Sequence, residues 1–454
     1  MPDPISIRPP RRFSPLLPAI GFGVMAVMAE LYVTGSPLYG RIMRGWIMDA
    51  WDYPFLDLST VLGWVRCYQL QGKAAYAEAV LQACGVVGPM TYPPVWMHLS
   101  FLPTDPAWTN RLGLALVSAF LLATGLLPLP RSAGGRLTMV VVSLSSLPAF
   151  AVERANADLL VFLLATGAAL SLTGPLPRRL LGYGFCLVGG VLKVYPMVLF
   201  LLLLRERPRI MVAVGVAAVV LFAASLLAYA DELPLRAAIP GGVPFLNMWG
   251  AQNLPIAAPL VLPGLLFGTG TSLIWPPLWT AAPVTILLGV AIVLLSGWLA
   301  GNAALRQAQA MLPARTEYLL LVGATLIVGC FFAGQNVAYR GVFLLLVLPG
   351  LLALRDRVED RPLRRILALT IGAILLVGWQ LTARVLLGDA LGGSYGEIAR
   401  TRPALAVWLL HELAWWWIAA ILLAVLLRFV ATSQSVRLLR GGFARVRGLP
   451  SATG

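Results

Sequence analysis

The sequence predicts an all-α, polytopic membrane protein with about twelve transmembrane helices and further interfacial helices in its first outward loop. Three observations predict it. Of 454 residues, 59% are hydrophobic and only 12% are charged, more apolar surface than a water-soluble domain needs for its core. The apolar residues fall in runs approaching the thickness of a bilayer. The arginines gather in short clusters between those runs. The formal charge of +15 therefore reads as membrane topology, and no nucleic-acid partner is expected, because no single polar face carries the charge.

The first apolar run, Leu16 to Val33, follows Arg8, Arg11 and Arg12. No small-residue cleavage pattern follows it, so it is expected to stay as the first helix. Further runs occupy Leu112 to Leu129, Leu137 to Val152, Leu159 to Leu172, Leu180 to Leu192 and Tyr195 to Leu204. The second half continues with Ile210 to Tyr229, Val284 to Leu299, Tyr318 to Phe332, Val342 to Leu354, Ile366 to Leu381 and Leu405 to Val430. Several are shorter than the roughly 20 residues of a perpendicular crossing. With both termini in the cytoplasm, about 22 of the 34 Lys and Arg fall on the inner side, as the positive-inside rule requires.

Leu180 to Leu204 tests this topology, because one crossing there would carry Arg205, Arg207 and Arg209 outward. Two short arms with a turn at Lys193-Val194-Tyr195-Pro196 avoid that outcome. Pro196 lacks a backbone donor and disfavours helix at Tyr195. Non-helical backbone at that depth must be shielded by protein or line a wet cavity, so the turn is a candidate site wall.

The chain is expected to form one transmembrane domain, 1–454, with long outward segments at 34–111, 230–283 and 382–404. The first carries Asp49, Asp52 and Asp57, then Cys67, Tyr76, Cys84 and Tyr92-Pro93-Pro94. Its tryptophans Trp46, Trp51, Trp64 and Trp96 are expected near the lipid headgroups. Cys67 and Cys84 share this outward loop, and a disulfide between them is expected in an oxidising compartment. Cys186 and Cys330 read as small buried hydrophobes. In the second segment the run Ala257 to Phe267 is expected to dip into the membrane. Trp415-Trp416-Trp417 reads as an interfacial belt.

No zinc-hydrolase pattern surrounds His411-Glu412, so no metal ligands are nominated and divalent-metal dependence stays open; no glycine-rich nucleotide loop is present, so a soluble nucleotide is not the expected substrate and no cofactor is expected. Charged groups instead mark three outer helix ends: Glu153-Arg154-Ala155-Asn156-Ala157-Asp158, Lys193, and Gln335-Asn336 with Tyr339-Arg340. Taken singly, each is a side chain snorkelling to water. Taken together, they fit a shared anion such as a lipid phosphate, which Arg grips bidentately and Lys meets as a point charge. Asp57, in Phe55-Leu56-Asp57-Leu58-Ser59, has apolar neighbours that would raise its pKa. It also stands where a helix N-cap would stand, and both readings remain open at this stage.

These residues resemble the polyprenyl-phosphate-dependent GT-C glycosyltransferases, most closely family GT87, which contains bacterial membrane mannosyltransferases. The likeness runs through Asp57-Leu58-Ser59, Gly72, Tyr76, Tyr92-Pro93-Pro94, Asn156 with Asp158, Leu192-Lys193-Val194-Tyr195-Pro196, Arg205 to Arg209, and Asn336 to Arg340. It departs from the family pattern in the cysteine pair and in Arg154-Ala155-Asn156. The resemblance implies a GT-C architecture in a bacterial inner membrane, with the site facing the periplasm and an isoprenoid-phosphate sugar as donor. It also implies that Asp57 is the catalytic base.

The chemistry needs one carboxylate to deprotonate an acceptor hydroxyl and one cationic group to stabilise the departing phosphate. Lys193, Arg340 and Arg154 are the expected phosphate ligands. Tyr92, His98, Asn156, Asp158, Tyr195 and Asn336 are expected to line the substrate site. With a single nominated carboxylate, inversion is expected. The acceptor is a glycolipid, a glycan or another hydroxyl. A transporter or flippase of an anionic lipid is the alternative, disfavoured by the lack of a repeat relating two halves and by charges gathered near one face.

Overall fold

Lipid offers no hydrogen-bond partner to a peptide group, so an apolar run at membrane depth satisfies its backbone by coiling into a helix. The computed structural model, which describes residues 13–47, 54–86, 88–105, 107–237, 248–267, 281–387 and 402–438, is accordingly helical almost throughout. Its helices are α1 (Leu16–Val33), α2 (Pro37–Trp46), α3 (Leu56–Gln71), α4 (Glu78–Ala83), α5 (Trp108–Thr124) and α6 (Ala133–Ser143). Next come α7 (Ser146–Arg154), α8 (Ala157–Leu172), α9 (Leu176–Lys193), α10 (Pro208–Leu227), α11 (Leu233–Ala237) and α12 (Asn253–Phe267). The chain continues through α13 (Ala282–Gly301), α14 (Ala303–Ala310), α15 (Ala314–Ala333), α16 (Leu344–Arg357), α17 (Arg361–Leu386) and α18 (Arg402–Thr432). Short 3-10 segments cover Gly72–Tyr76, Pro94–His98, Tyr195–Arg205 and Ala338–Phe343. Strands β1 (Met248–Trp249) and β2 (Asn336–Val337) pair antiparallel, Met248 opposite Val337 and Trp249 opposite Asn336.

Each of the twelve apolar runs lies on helical structure, but only seven helices among the described residues are long and apolar enough to cross a membrane. The number rises to eight if α6 and α7, bent by 40°, form one broken span. The shortfall has local causes. Helix α8 and the Tyr195–Arg205 segment are short, and α9 carries Arg178, Arg179 and Lys193 at its ends. Helices α1, α10 and α13 leave most of their apolar surface uncovered, including Val216, Val219, Leu287 and Leu294, whereas α15, α16 and α18 form the packed centre. In water that uncovered surface would cost about 25 cal/mol per Å². It is the surface of a multi-pass membrane protein.

Several of the tryptophans expected at the headgroups pack against protein. Trp64 and Trp96 are buried, donating to the carbonyls of Gly88 at 3.2 Å and Leu192 at 2.8 Å, and Trp46 reaches the carbonyl of Leu144 at 2.7 Å. Trp415 and Trp416 are also buried, inside the bundle. An indole N–H needs a partner wherever water is excluded, and protein carbonyls supply it for Trp46, Trp64 and Trp96. Asp49, Trp51 and Asp52 lie outside the described residues. The run Ala257 to Phe267 is helical, within α12.

The segment after α2, expected to form the first outward loop, folds around its own core of Val61, Trp64, Cys67, Leu81, Met90 and Trp96. Cys67 and Cys84 are joined as a disulfide, with Cα atoms 5.8 Å apart, while Cys186 and Cys330 are free and buried. Closing a loop of this size contributes about 3 kcal/mol by restricting the unfolded chain. Reduction, or Cys84→Ser, is expected to lower the Tm of the protein in detergent. Equal Tm with and without reductant would show that the crosslink adds nothing.

Candidate active site

The site is built where three breaks in the chain converge. Phe55, Ala155 and Val194 are the non-glycine residues with positive φ among the described residues, at 66°, 43° and 59°. Each stands within two residues of a predicted site side chain: Asp57, Asn156 and Lys193. Such backbone costs of order 1–3 kcal/mol per residue and persists only where surrounding contacts enforce it. For β-branched Val194 it is a strong outlier, and it ends α9 where Pro196 predicted a break.

Asn156 is the hub. As N-cap of α8, its Oδ1 accepts from the Asp158 N–H at 2.8 Å, the ordinary capping bond. The same oxygen accepts from Lys193 Nζ at 3.5 Å. Its Nδ2 donates to Asp57 Oδ2 at 2.5 Å and to the Tyr92 hydroxyl at 3.3 Å. Asp57 is therefore not a cap. Phe55 holds the N-cap position of α3 without a side-chain bond, and Asp57 sits in the first turn facing Asn156, with Arg154 Nη1 at 3.5 Å.

On the far side of Asn156, Asp158 is fully buried and gathers the remaining charges. Lys193 Nζ lies 3.3 Å from one carboxylate oxygen and Arg340 Nε 3.5 Å from the other, while the Tyr195 hydroxyl donates at 2.7 Å. Arg340 Nη1 donates to Asn336 Oδ1 at 2.7 Å, and its guanidinium lies over the Tyr195 ring. The Lys193 ammonium sits 4.1 Å from the centroid of Tyr92, in a cation–π contact. A chain of contacts thus runs Asp57–Asn156–Lys193–Asp158–Arg340–Asn336, walled by Tyr92 and Tyr195.

Three carboxylates, Asp57, Glu153 and Asp158, meet three cations, Arg154, Lys193 and Arg340. The cations expected to wait for an anion are already paired, and Lys193 does not snorkel: its side chain is only 3% exposed. Burial without those carboxylates would be far costlier. Two members open outward, Asp57 at 24% and Arg340 at 23% side-chain exposure, and buried groups connect them. Burial pushes the Asp57 carboxyl above the usual carboxylate range, against the opposing pull of Arg154 and of the Asn156 hydrogen bond.

His98 is not brought into this chain. It belongs to a second cluster just after α10, stacked on Tyr229 with centroids 4.4 Å apart. Buried Glu232 accepts there from Tyr68 at 2.7 Å and Tyr76 at 2.8 Å, with His98 Nε2 at 3.0 Å. Burial favours the neutral carboxyl, but these hydrogen bonds outweigh it and hold Glu232 below its ordinary pKa. Burial, and after it the hydrogen bond and charge of Glu232, push the Tyr68 hydroxyl up to about 12. Sequence reading missed Glu232, although Asp231-Glu232 are the only carboxylates between residues 230 and 283. It named Glu153 in a charged cluster but gave it no site role, and its carboxylate lies 3.0 Å from Arg154 Nε.

Beside the site, an apolar cavity of about 340 Å³ opens between α1, α2, α5 and α7, lined by Met28, Tyr39, Trp46, Phe55 and Leu121 and reaching Glu153. The Phe55 N–H donates to the Glu153 carbonyl at 2.7 Å, which ties the cavity wall to the Asp57 turn. Among the described residues, no three His, Cys, Asp or Glu side chains are grouped to hold a metal. No family model, no curated protein and no solved structure matches the chain.

Proposed function

We propose that the protein is an inverting membrane glycosyltransferase of GT-C type, transferring a hexose such as mannose from a polyprenyl-phosphate donor to an acceptor hydroxyl at the outer face of a bacterial inner membrane. The observation that carries this reading is the pair of open groups, Asp57 and Arg340, joined by a buried and charge-balanced network. One end suits a base and the other a phosphate ligand. In the reaction the acceptor O–H proton passes to an Asp57 oxygen and the acceptor oxygen bonds to the anomeric carbon. The carbon–oxygen bond to phosphate breaks, and its electron pair stays on the phosphate. Protonating Asp57 leaves the network one unit more positive as the leaving phosphate gains one negative charge, so both changes stabilise the same transition state. Lys193 and Arg154 are buried, and they act by holding Asn156, Asp158 and Asp57 in place. Arg340, held by Asp158 and Asn336, is the cation whose exposed edge can meet phosphate.

The neighbouring apolar cavity supports a lipid-linked substrate, being of a size that encloses an apolar ligand. Twelve crossings, counting the short arms around Lys193, would put the site on the outer side and the arginine clusters inside. The test is transfer by purified protein in liposomes given labelled polyprenyl-phosphate sugars and a membrane lipid and glycan extract. Label is expected to move to an acceptor. Label that crosses the bilayer while remaining on polyprenyl phosphate would instead establish a flippase.

A further inference from the structure

A charged or ionisable side chain buried at membrane depth asks for a role, and Glu412 on α18 has none in the network above. It is fully buried, and among the described residues its close ionisable neighbour is His411, Nδ1 lying 3.2 Å from Oε1. Trp415 Nε1 donates to His411 Nε2 at 3.0 Å. An indole nitrogen only donates, so His411 Nε2 is the acceptor and the imidazole proton sits on Nδ1, directed at Glu412. Glu412 Oε1 also accepts from Asn253 Nδ2 at 2.8 Å, and the same Nδ2 reaches the Met248 carbonyl at 3.2 Å. Glu412 therefore anchors the start of α12 and the β1 strand before it.

From β1 the contacts lead to the active site. Trp249 stacks on Trp415 with centroids 4.0 Å apart and planes within 7°. Its Nε1 donates to the Val337 carbonyl at 3.2 Å, and the Ala251 N–H donates to the Phe331 carbonyl at 2.7 Å. Gly250 lies against the Gly334 carbonyl, where any Cβ would collide, so glycine is what lets the two backbones close. The ribbon pairs Trp249 with Asn336, and Asn336 Oδ1 holds Arg340.

We propose that Glu412 and Asn253 are positioning residues: through the β1–β2 ribbon they fix Asn336, and with it the orientation of Arg340 toward the donor phosphate. The Arg340 role rests on the glycosyltransferase reading, whereas the anchoring of the ribbon stands apart from it. Glu412 works as a hydrogen-bond anchor, a task a glutamine can also perform.

The test places cysteines at the facing ribbon positions, Met248→Cys with Val337→Cys, and measures disulfide yield under mild oxidation in the full-length protein in liposomes. In that background Asn253→Ala and Glu412→Ala are expected to lower the yield, and Glu412→Gln to keep it. In the same variants without the added cysteines, the alanine changes are expected to raise KM for the polyprenyl-phosphate sugar about tenfold, the size of one lost buried hydrogen bond, with little change in kcat. Glu412→Gln should leave KM near wild type. Closing the ribbon disulfide in Asn253→Ala is expected to restore KM. Unchanged crosslink yield in both alanine variants would overturn the proposal, as would a Glu412→Gln protein as impaired as Glu412→Ala. Loss of crosslinking in a protein whose wild type transfers no sugar would support the anchor and sink the glycosyltransferase reading alone.

Discussion

Asp57→Asn is expected to lower sugar transfer by about 10²- to 10⁴-fold, the range for removing a general base, while the protein stays folded and still binds polyprenyl phosphate. The side chain keeps its size, Asn156 retains an acceptor, and Arg154 keeps Glu153 at 3.0 Å. Turnover by purified wild-type and variant protein, set beside lipid-phosphate binding by each, decides the matter. An active Asn variant excludes Asp57 as the base. The pH profile carries the same signature. The carboxyl is held above the usual range by burial, so kcat/KM should rise with pH through an inflection higher than an ordinary aspartate gives. Stability moves the other way. Between the unfolded pKa and the raised folded one, the native state binds more protons than the unfolded state, so this group's contribution declines as pH rises across that window. Asp57→Asn should abolish the rate inflection and that pH dependence together.

Asp158→Ala is expected to be the most destabilising single change in the site, by about 3–5 kcal/mol, because it leaves Lys193 and Arg340 without their shared carboxylate. The Tyr195 hydroxyl loses its acceptor at the same time. Asp158→Asn keeps a partner for Tyr195 but not the charge, and should fall between wild type and alanine. Thermal unfolding in detergent gives the order. A Tm for Asp158→Ala equal to wild type would mean that the two cations are held by something other than this carboxylate.

Much of the site was legible in residue types near chain breaks. Pro196 predicted the interruption after Lys193 from local backbone chemistry, whereas Asn156, three residues before the run Leu159 to Leu172, was marked by its charged neighbours and by the family resemblance. Asp57 was ambiguous for a physical reason. A carboxylate at a helix start serves equally as a cap or as a first-turn residue facing a partner, and the choice depends on a residue 99 positions away. The burial of Trp64, Trp96, Trp415 and Trp416 was not legible, because amphipathic indoles suit an interface and a protein interior alike.

Composition, arginine placement and apolar runs determined that the chain is helical and lives in lipid, since the bilayer leaves no other way to satisfy a backbone. They also marked three helix ends as chemically unusual. Only the tertiary structure decided how those ends relate. It showed that the cations do not stand waiting for an anion but are neutralised in advance by Asp57, Glu153 and Asp158. It separated His98 from the Asp57 network and tied it to Glu232, and it linked Glu412 to Arg340 through a two-residue strand. Charge compensation in a buried site acts over a few ångströms between residues tens to hundreds of positions apart, and sequence spacing carries no record of that distance.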